Sequence, residues 1–380
     1  MASHKDLPPV SSPSLILTNP TSEERLRVWK ATHPQWGPAL TIEDYVRRED
    51  NNLEAPLARD GGVTSWILTD GSLPADGRPI LSSCETYKKR ALVSSKEGAT
   101  REGIAYGVAS VFTFIECRGR GYASKMMALL AEELRGRQQK NQGDADFSVL
   151  WSDVGKKFYN AVGWKPFEST YLELPATKNE PTSDPALKPI IVDDLPALAD
   201  QDEKIIRHKI ASSSSQIRAA VLPDLTTLRW HLHRENFMCK HIFSRIPTTH
   251  GAVYTPPDAP NSRIWAIWTR SFYGGLEKRE KNTIHIIRLV VEDESISDQV
   301  LAAGLRAIGN AAQKEAAEWL CSKVEIWNPE DRIRRVIEGI QKLGAKYIVR
   351  ESENLASMHW FGENSIEEVE WVANEKFAWC

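Results

Sequence analysis

What the chain lacks narrows its class before any motif is read. No stretch of its 380 residues approaches the ~20 apolar residues of a membrane span. The opening MASHKDLPPVSSPS has no apolar core of the length that a secretory signal needs. Five cysteines (Cys84, Cys117, Cys239, Cys321 and Cys380) are scattered without the paired spacing of a metal site. So sparse and odd a count points to reduced thiols inside a cell, not to a disulfide framework. Neither sign of charge dominates: 48 Lys and Arg against 51 Asp and Glu give a net charge of −3, which argues against a chain built mainly to bind nucleic acid. The expectation is a cytoplasmic chain with no metal, nucleic-acid or membrane partner, its oligomeric state left open. Its length predicts two domains, each able to bury its own core.

The most informative stretch runs from Val111 to Leu134, VFTFIECRGRGYASKMMALLAEEL. An apolar strand, Gly103–Thr113, enters the turn Arg118-Gly119-Arg120-Gly121-Tyr122-Ala123, and the turn opens a helix with Ala123, Met126, Met127, Leu130 and Leu134 on one face. Two glycines let successive amides converge, and with the helix N-terminus behind them they suit a phosphate-type anion. The pattern is R-G-x-G-x-A, neither the dinucleotide fingerprint nor the phosphate loop. A second stretch, Phe147–Trp164 (FSVLWSDVGKKFYNAVGW), reads as a strand, a short helix and a Gly-aromatic exit.

Together these segments resemble the GNAT superfamily of acetyl-CoA-dependent N-acetyltransferases. The first matches its pyrophosphate loop. The second matches its Asn-x-x-Ala-x-x-apolar-Tyr-x-x-x-Gly-aromatic pattern through Ser152, Gly155, Phe158, Tyr159, Gly163 and Trp164, with Ser for Asn and Gly for Ala as small departures. The resemblance implies an α/β (α+β) fold, a GNAT-type mixed sheet flanked by helices. Strands at Leu15–Leu17, Thr64–Thr69, Ile80–Val93 and Lys165–Leu174 fit that order, as do helices opened by Thr21-Ser22-Glu23-Glu24 and Thr41-Ile42-Glu43-Asp44. Residues 1–175 are then the catalytic, acetyl-CoA-binding domain, and 176–200 a Pro-rich linker. Residues 201–380 form a second, degenerate GNAT-like domain that shapes the acceptor site. In that half, strands Arg263–Phe272 and Thr283–Glu292 precede a long helix. Ile326-Trp327-Asn328 then lines up with Leu150-Trp151-Ser152, and Leu343-Gly344-Ala345 with Val162-Gly163-Trp164. Asp293-Glu294-Ser295-Ile296 stands where the Gly/Arg turn would be, and its acids would repel a pyrophosphate.

Over most of its length the chain also resembles fungal acetyltransferases that act on the side-chain amine of free L-lysine. The matching segments are RGRGYA, Leu228–Phe237 (LRWHLHRENF) and Asn374–Cys380 (NEKFAWC). The activity this implies is acetyl transfer to L-lysine, a step of lysine breakdown. Alternatives are another small amine such as ornithine, a polyamine or a secondary metabolite. Further from it stand a protein acetyltransferase and a non-catalytic CoA-binding protein.

The resemblance also assigns roles. The amides of Arg118, Gly119, Arg120, Gly121, Tyr122 and Ala123 would hold the CoA pyrophosphate, with Arg120, Lys125, Lys156 and Lys157 as further countercharges. Val111, Phe112 and Thr113 would pair with the pantetheine arm, and Ser152 completes the CoA-binding set. Tyr159 corresponds to the tyrosine that protonates the departing thiolate. A lysine amine near pKa ~10.4 needs a base, a relay or desolvation to act at pH 7. That base is open among Glu85, Glu116, His231, His233 and Glu235. Glu116, beside the turn, is the catalytic candidate; Glu85, His231 and Glu235 are candidate acceptor contacts. Arg229, Arg234 and Arg270 are the arginines available for an α-carboxylate.

Overall fold

A computed structural model describes residues 7–139, 145–178 and 184–380. Residues 1–6 of the opening segment and 179–183 of the expected linker lie outside this range. In chain order the strands are β1 (Leu15–Thr18), β2 (Val63–Asp70), β3 (Ile80–Ser94), β4 (Thr100–Thr113), β5 (Ala145–Ser152), β6 (Lys165–Pro166), β7 (Thr170–Pro175) and β8 (Leu187–Ile190). They continue as β9 (Ile217–Val221), β10 (Gly251–Tyr254), β11 (Ile264–Phe272), β12 (Asn282–Val291), β13 (Lys323–Trp327), β14 (Lys346–Val349), β15 (Leu355–Trp360) and β16 (Val369–Trp371). The helices are α1 (Ser22–Trp36), α2 (Ile42–Leu53), α3 (Tyr122–Gln139), α4 (Lys157–Ala161), α5 (Leu195–Ile210), α6 (Leu225–Phe243), α7 (Asp298–Glu318) and α8 (Asp331–Gly339).

The strands form two mixed sheets of the same design. The first runs β1-β2-β3-β4-β5-β15-β6, and the second runs β8-β10-β11-β12-β13-β7-β14. Each has one parallel pair at its centre, β4 with β5 and β12 with β13. A parallel pair needs a crossover, and α3 and α7 supply it. The apolar face of α3 (Met126, Met127, Leu130, Leu134) is buried with Leu68, Leu81 and Tyr106 of the first sheet. Leu301, Leu305, Ile308 and Ala312 of α7 are buried with Ala266, Ile284 and Val324 of the second. The lower half of β3 pairs with β2, while its upper half, Ala91–Ser94, pairs with β9, to which β16 adds in parallel.

The two sheets exchange a strand. β7, from the first half of the chain, lies between β13 and β14 of the second sheet. β15, from the second half, lies between β5 and β6 of the first. The expected strand Lys165–Leu174 is therefore two strands in different sheets. The crossover is pinned where Phe167 N donates to Ala356 O (2.8 Å), and Ala356 N to Ser169 Oγ (2.9 Å). A cut after residue 175 thus follows the chain but not the sheets. The described part of 176–200 is also more than a connector: β8 pairs with β10, and α5 begins at Leu195. A third core joins the halves. Ala91, Phe147 and Val149 of one sheet share it with Trp265, Ile267 and Ile287 of the other, and with Leu195, Leu198 and Leu228 of α5 and α6.

The helix starts follow the sequence signals. Thr21 caps α1, its Oγ1 accepting from Glu24 N (3.0 Å) while Thr21 N donates to Glu24 Oε2 (2.9 Å). Glu24 is fully buried and also receives Arg78 through Nε (2.7 Å) and Nη2 (3.0 Å). Arg78 holds its carboxyl at about 2, against burial that acts the other way. A carboxyl depressed on folding stabilises the fold above its unfolded pKa, and that stability is lost as pH falls towards the folded value. Glu24→Gln should therefore cost about 3 kcal/mol at pH 7 in urea unfolding. The gap between variant and parent should close from pH 4.5 down to about 2. A gap that persists at the lowest pH contradicts this role.

Candidate active site

The parallel register of β4 and β5 ends at Gly107 opposite Val149. Beyond it the strands diverge, and among the described residues Val108–Thr113 has no strand partner on the β5 side. On its other side β4 is bulged against β3: Ser83 faces Phe112, yet Glu85 faces Ala109. The extra residue is accommodated by Ser110 at φ 55°, which brings its Oγ 3.0 Å from Glu85 Oε2 as a donor. Bulges of this kind re-aim side chains near sites. Here the bulge and the splay open one cavity of about 500 Å3, lined by Glu85, Tyr87, Val108–Val111, Trp151, Asp153 and Tyr159.

Glu85 has its carboxyl pushed up to about 7 by burial and by the charge of Glu49; Ser110, Arg234 and Tyr87 oppose the shift. Tyr87 donates weakly to it at 3.4 Å. Tyr159 lies on α4, edge-on to Phe158 at 4.8 Å, and is buried. Burial, with Cys84 and Asp153 nearby, raises its phenol, so at neutral pH it is a proton donor. The exit behind it is tight. Gly163 takes φ 103°, and a Cβ there would sit 2.5 Å from the His359 ring.

The Gly/Arg turn forms as the sequence predicts. Gly119 and Gly121 take φ 74° and 82°, and a Cβ at Gly119 would point into open space. The first helical bond of α3 is Lys125 N to Gly121 O (3.0 Å), which leaves the amides of the preceding turn without intrahelical acceptors. Arg118 Nε is held by Thr113 O (3.1 Å), and its guanidinium lies 5.5 Å from the Phe112 ring. Tyr122 is buried, with its hydroxyl on Pro8 O. Arg120 is exposed and Ala123 half-buried. These residues fit an anion such as a pyrophosphate: two positive-φ glycines, free helix amides and flanking arginines.

The other candidates divide. Val111 lines the cavity, whereas the Phe112 ring packs against Trp36 (6.1 Å) and Thr113 is bonded to Ser82. The Ser152 hydroxyl is spent inside its own loop, donating to Gly155 O (2.7 Å) and accepting from Val154 N (3.2 Å). Glu116 is exposed on a 3-10 turn and is not among the residues lining the cavities. His231 and Glu235 line a second cavity of about 440 Å3, walled by β11, β12 and β13 of the second sheet, by α6 and by the segment that joins α1 to α2. His231 Nε2 bonds Phe377 O (2.9 Å), and burial holds its imidazole well below the usual range, hence neutral. Glu235 is engaged by Arg270, which donates to it from its backbone N and Nη1, both at 2.7 Å, and also pairs with Glu315. Those two carboxylates balance the charge of Arg270, while its Nε keeps no hydrogen-bond partner. His233 ties α6 to Asn51 of α2 (2.7 Å), and Arg229 is exposed. Lys156 pairs with Glu351. Arg234 borders both cavities, together with Trp36, Arg48, Tyr273 and Trp379.

Sequence reasoning missed Arg48 and Glu49 of α2, Tyr87 and Asp153. Only a charged doublet on a helix that otherwise buries Tyr45 and Asn52 hinted at the first two. Among the described residues, no group of three or more His, Cys, Asp and Glu side chains is placed to hold a metal ion, and no helix is long and apolar enough to cross a membrane.

Comparison with known proteins agrees with this geometry. The family model described as the LYC1 GNAT-like C-terminal domain matches residues 171–380, and so begins within β7, the strand exchanged into the second sheet. A protein of Yarrowia lipolytica named lysine acetyltransferase is 24% identical over 95% of this chain and 98% of its own length. Among solved structures, a probable N-acyltransferase from Enterococcus faecalis is similar with a TM-score of 0.53 and 14% identity, over 90% of this chain and 72% of that one. A GCN5-related N-acetyltransferase from Anabaena variabilis gives 0.50 and 13%, over 92% and 73%. The chain belongs to the GNAT family that carries the LYC1-like C-terminal domain, and is an N-acetyltransferase of GNAT type.

Proposed function

We propose that this chain transfers the acetyl group of acetyl-CoA to the side-chain amine of free L-lysine, as a step of lysine breakdown. One observation carries the mechanism: Glu85 and Tyr159 line the same cavity where β4 and β5 diverge. The likeness to the Yarrowia lipolytica lysine acetyltransferase over nearly the whole of both chains supports the choice of acceptor. In this reading the Arg118–Ala123 turn holds the pyrophosphate, and the unpaired β4 edge near Val111 takes the pantetheine arm. The half that follows walls the acceptor side. When bound, acetyl-CoA supplies the acyl carbon and a thiolate leaving group.

The residues of the chain move the protons. A lysine ammonium deprotonated at pH 7 costs roughly 4 to 5 kcal/mol, and a base matched to the working pH lowers that burden. Glu85, at about 7, is such a base, and it replaces Glu116 in the role. The ammonium first gives up one proton through Glu85 to solvent; as the amine then attacks the thioester carbonyl, Glu85 takes the second proton from nitrogen. The C–S bond breaks and Tyr159 protonates the departing sulfur.

Thiol release should be measured with acetyl-CoA against L-lysine, D-lysine, ornithine, spermidine and a lysine-containing peptide. L-Lysine should be turned over selectively, with kcat/KM rising through pH 7 as Glu85 ionises. Glu85→Gln should flatten that limb and lower kcat by roughly 100-fold or more, as should Tyr159→Phe. No release with L-lysine would remove the acceptor assignment, and full activity in Tyr159→Phe would remove the acid.

Stability gives a check that needs no substrate. A carboxyl raised on folding favours the fold at low pH, and that contribution is lost as pH rises through the folded value. The Tm of Glu85→Gln should match the parent below pH 4.5 and exceed it above pH 7. A constant difference across that window would mean that Glu85 titrates normally.

A further inference from the structure

The segment Glu375–Cys380 is fixed from both halves, yet one of its side chains is left without a counterpart. Glu375 pairs with Arg288, which Asp202 grips through two bonds of 2.7 Å. The Phe377 carbonyl is taken by His231, and the Ala378 carbonyl by Lys89 Nζ (2.8 Å), with Trp379 O at 3.2 Å. Between these anchors stands Lys376, 7% exposed. Its Nζ lies 4.0 Å from the centroid of the Trp327 ring and 3.8 Å from that of Trp379. Among the described residues it forms no hydrogen bond and no ion pair.

That arrangement does not balance by itself. Taking an ammonium out of water carries a desolvation cost that the two aromatic faces offset only in part. Glu325 is the nearest acid by its influence on Lys376, but it is occupied. It accepts from Lys323 (2.9 Å) and from Trp327 Nε1 (3.0 Å), and faces His285 Nδ1 at 3.5 Å. Further positive charge gathers here. Arg350 stacks on Trp327 at 4.1 Å, and Arg234 on Trp379 at 4.8 Å. Arg234, like Lys376, forms no ion pair among the described residues, and both line the cavity of about 440 Å3. That cavity adjoins the one holding Glu85 and Tyr159, with Arg234 and Trp379 on the shared border. The Gly/Arg turn lines neither cavity.

We infer that Lys376, together with Arg234, is the subsite for a carboxylate carried by the acceptor, so that the enzyme selects amines bearing an anionic group at the far end over diamines and polyamines. This rests on the small-amine reading above and deepens it. Both cations lie against the Trp379 ring, at 4.8 Å for Arg234 and 3.8 Å for Lys376, and the aliphatic part of the acceptor would lie along that ring, its amine towards Glu85. Burial without a partner holds the Lys376 ammonium well below its usual pKa, and a bound carboxylate would restore its charge. Arg270 is less suited, because Glu235 and Glu315 already balance its charge.

The test compares L-lysine, 6-aminohexanoate, which keeps the carboxylate but drops the α-ammonium, and cadaverine, which drops the carboxylate. With the parent enzyme, KM for 6-aminohexanoate should lie roughly 30-fold or more below that for cadaverine. Lys376→Met should raise KM for both carboxylate-bearing amines by a similar factor and leave cadaverine unchanged. Equal KM values for 6-aminohexanoate and cadaverine in the parent would overturn the inference even if the variant fails to fold. So would a variant that affects all three amines alike, or none. If no amine is acetylated, it is the acetyl-transfer reading that fails. The subsite is then judged by calorimetry: 6-aminohexanoate binding that Lys376→Met abolishes supports it, and absent or unaltered binding refutes it.

Discussion

The exchange of β7 and β15 between the sheets is the constraint on which the rest depends. A strand inserted between two others makes backbone bonds on both edges, so neither half can complete its sheet without the other. The crossing is held by Phe167, Ser169 and Ala356 through their mutual bonds. This fixes the second half over the open end of the β4–β5 splay. The shared core of Phe147, Val149, Trp265 and Ile287 packs the two sheets together.

Two consequences follow for the chemistry. The bulge at Ser110 and the splay after Gly107 are properties of the first sheet alone, and they aim Glu85 into a confined space where burial raises its carboxyl. The adjoining cavity draws on both halves. Trp379, Arg234 and Lys376 line it, and Lys89, His231 and Arg288 hold the Glu375–Cys380 segment beside them. A carboxyl held near 7 and a group of cations are thereby brought to adjoining cavities from residues nearly three hundred positions apart.

The parts legible in the sequence were those written locally. The RGRGYA turn needs its two glycines, the capping box at Thr21 needs its Glu three residues on, and Gly163 needs its missing side chain; each leaves a mark within a few residues. The likeness of the two halves was also legible, because Ile326-Trp327-Asn328 repeats Leu150-Trp151-Ser152 at equivalent strands. The strand exchange was not. Alternation along Lys165–Leu174 says that the segment is extended but not which sheet receives it. Nor did sequence separate the acids. Glu116, Glu235 and Glu85 look alike as letters, and only contacts distant in sequence make the first a solvated turn residue, the second the partner of Arg270 and the third a perturbed carboxyl.

The central claim is that the thioester and the acceptor meet between Glu85 and Tyr159, with the anionic end of the acceptor in the adjoining cavity beside Lys376 and Arg234. A crystal structure of the chain with CoA and L-lysine bound tests it most directly. The account predicts the lysine Nζ within hydrogen-bonding distance of the Glu85 carboxylate and the CoA sulfur facing the Tyr159 hydroxyl. Lysine bound elsewhere, or CoA sulfur remote from Tyr159 with Glu85 facing water, would contradict it.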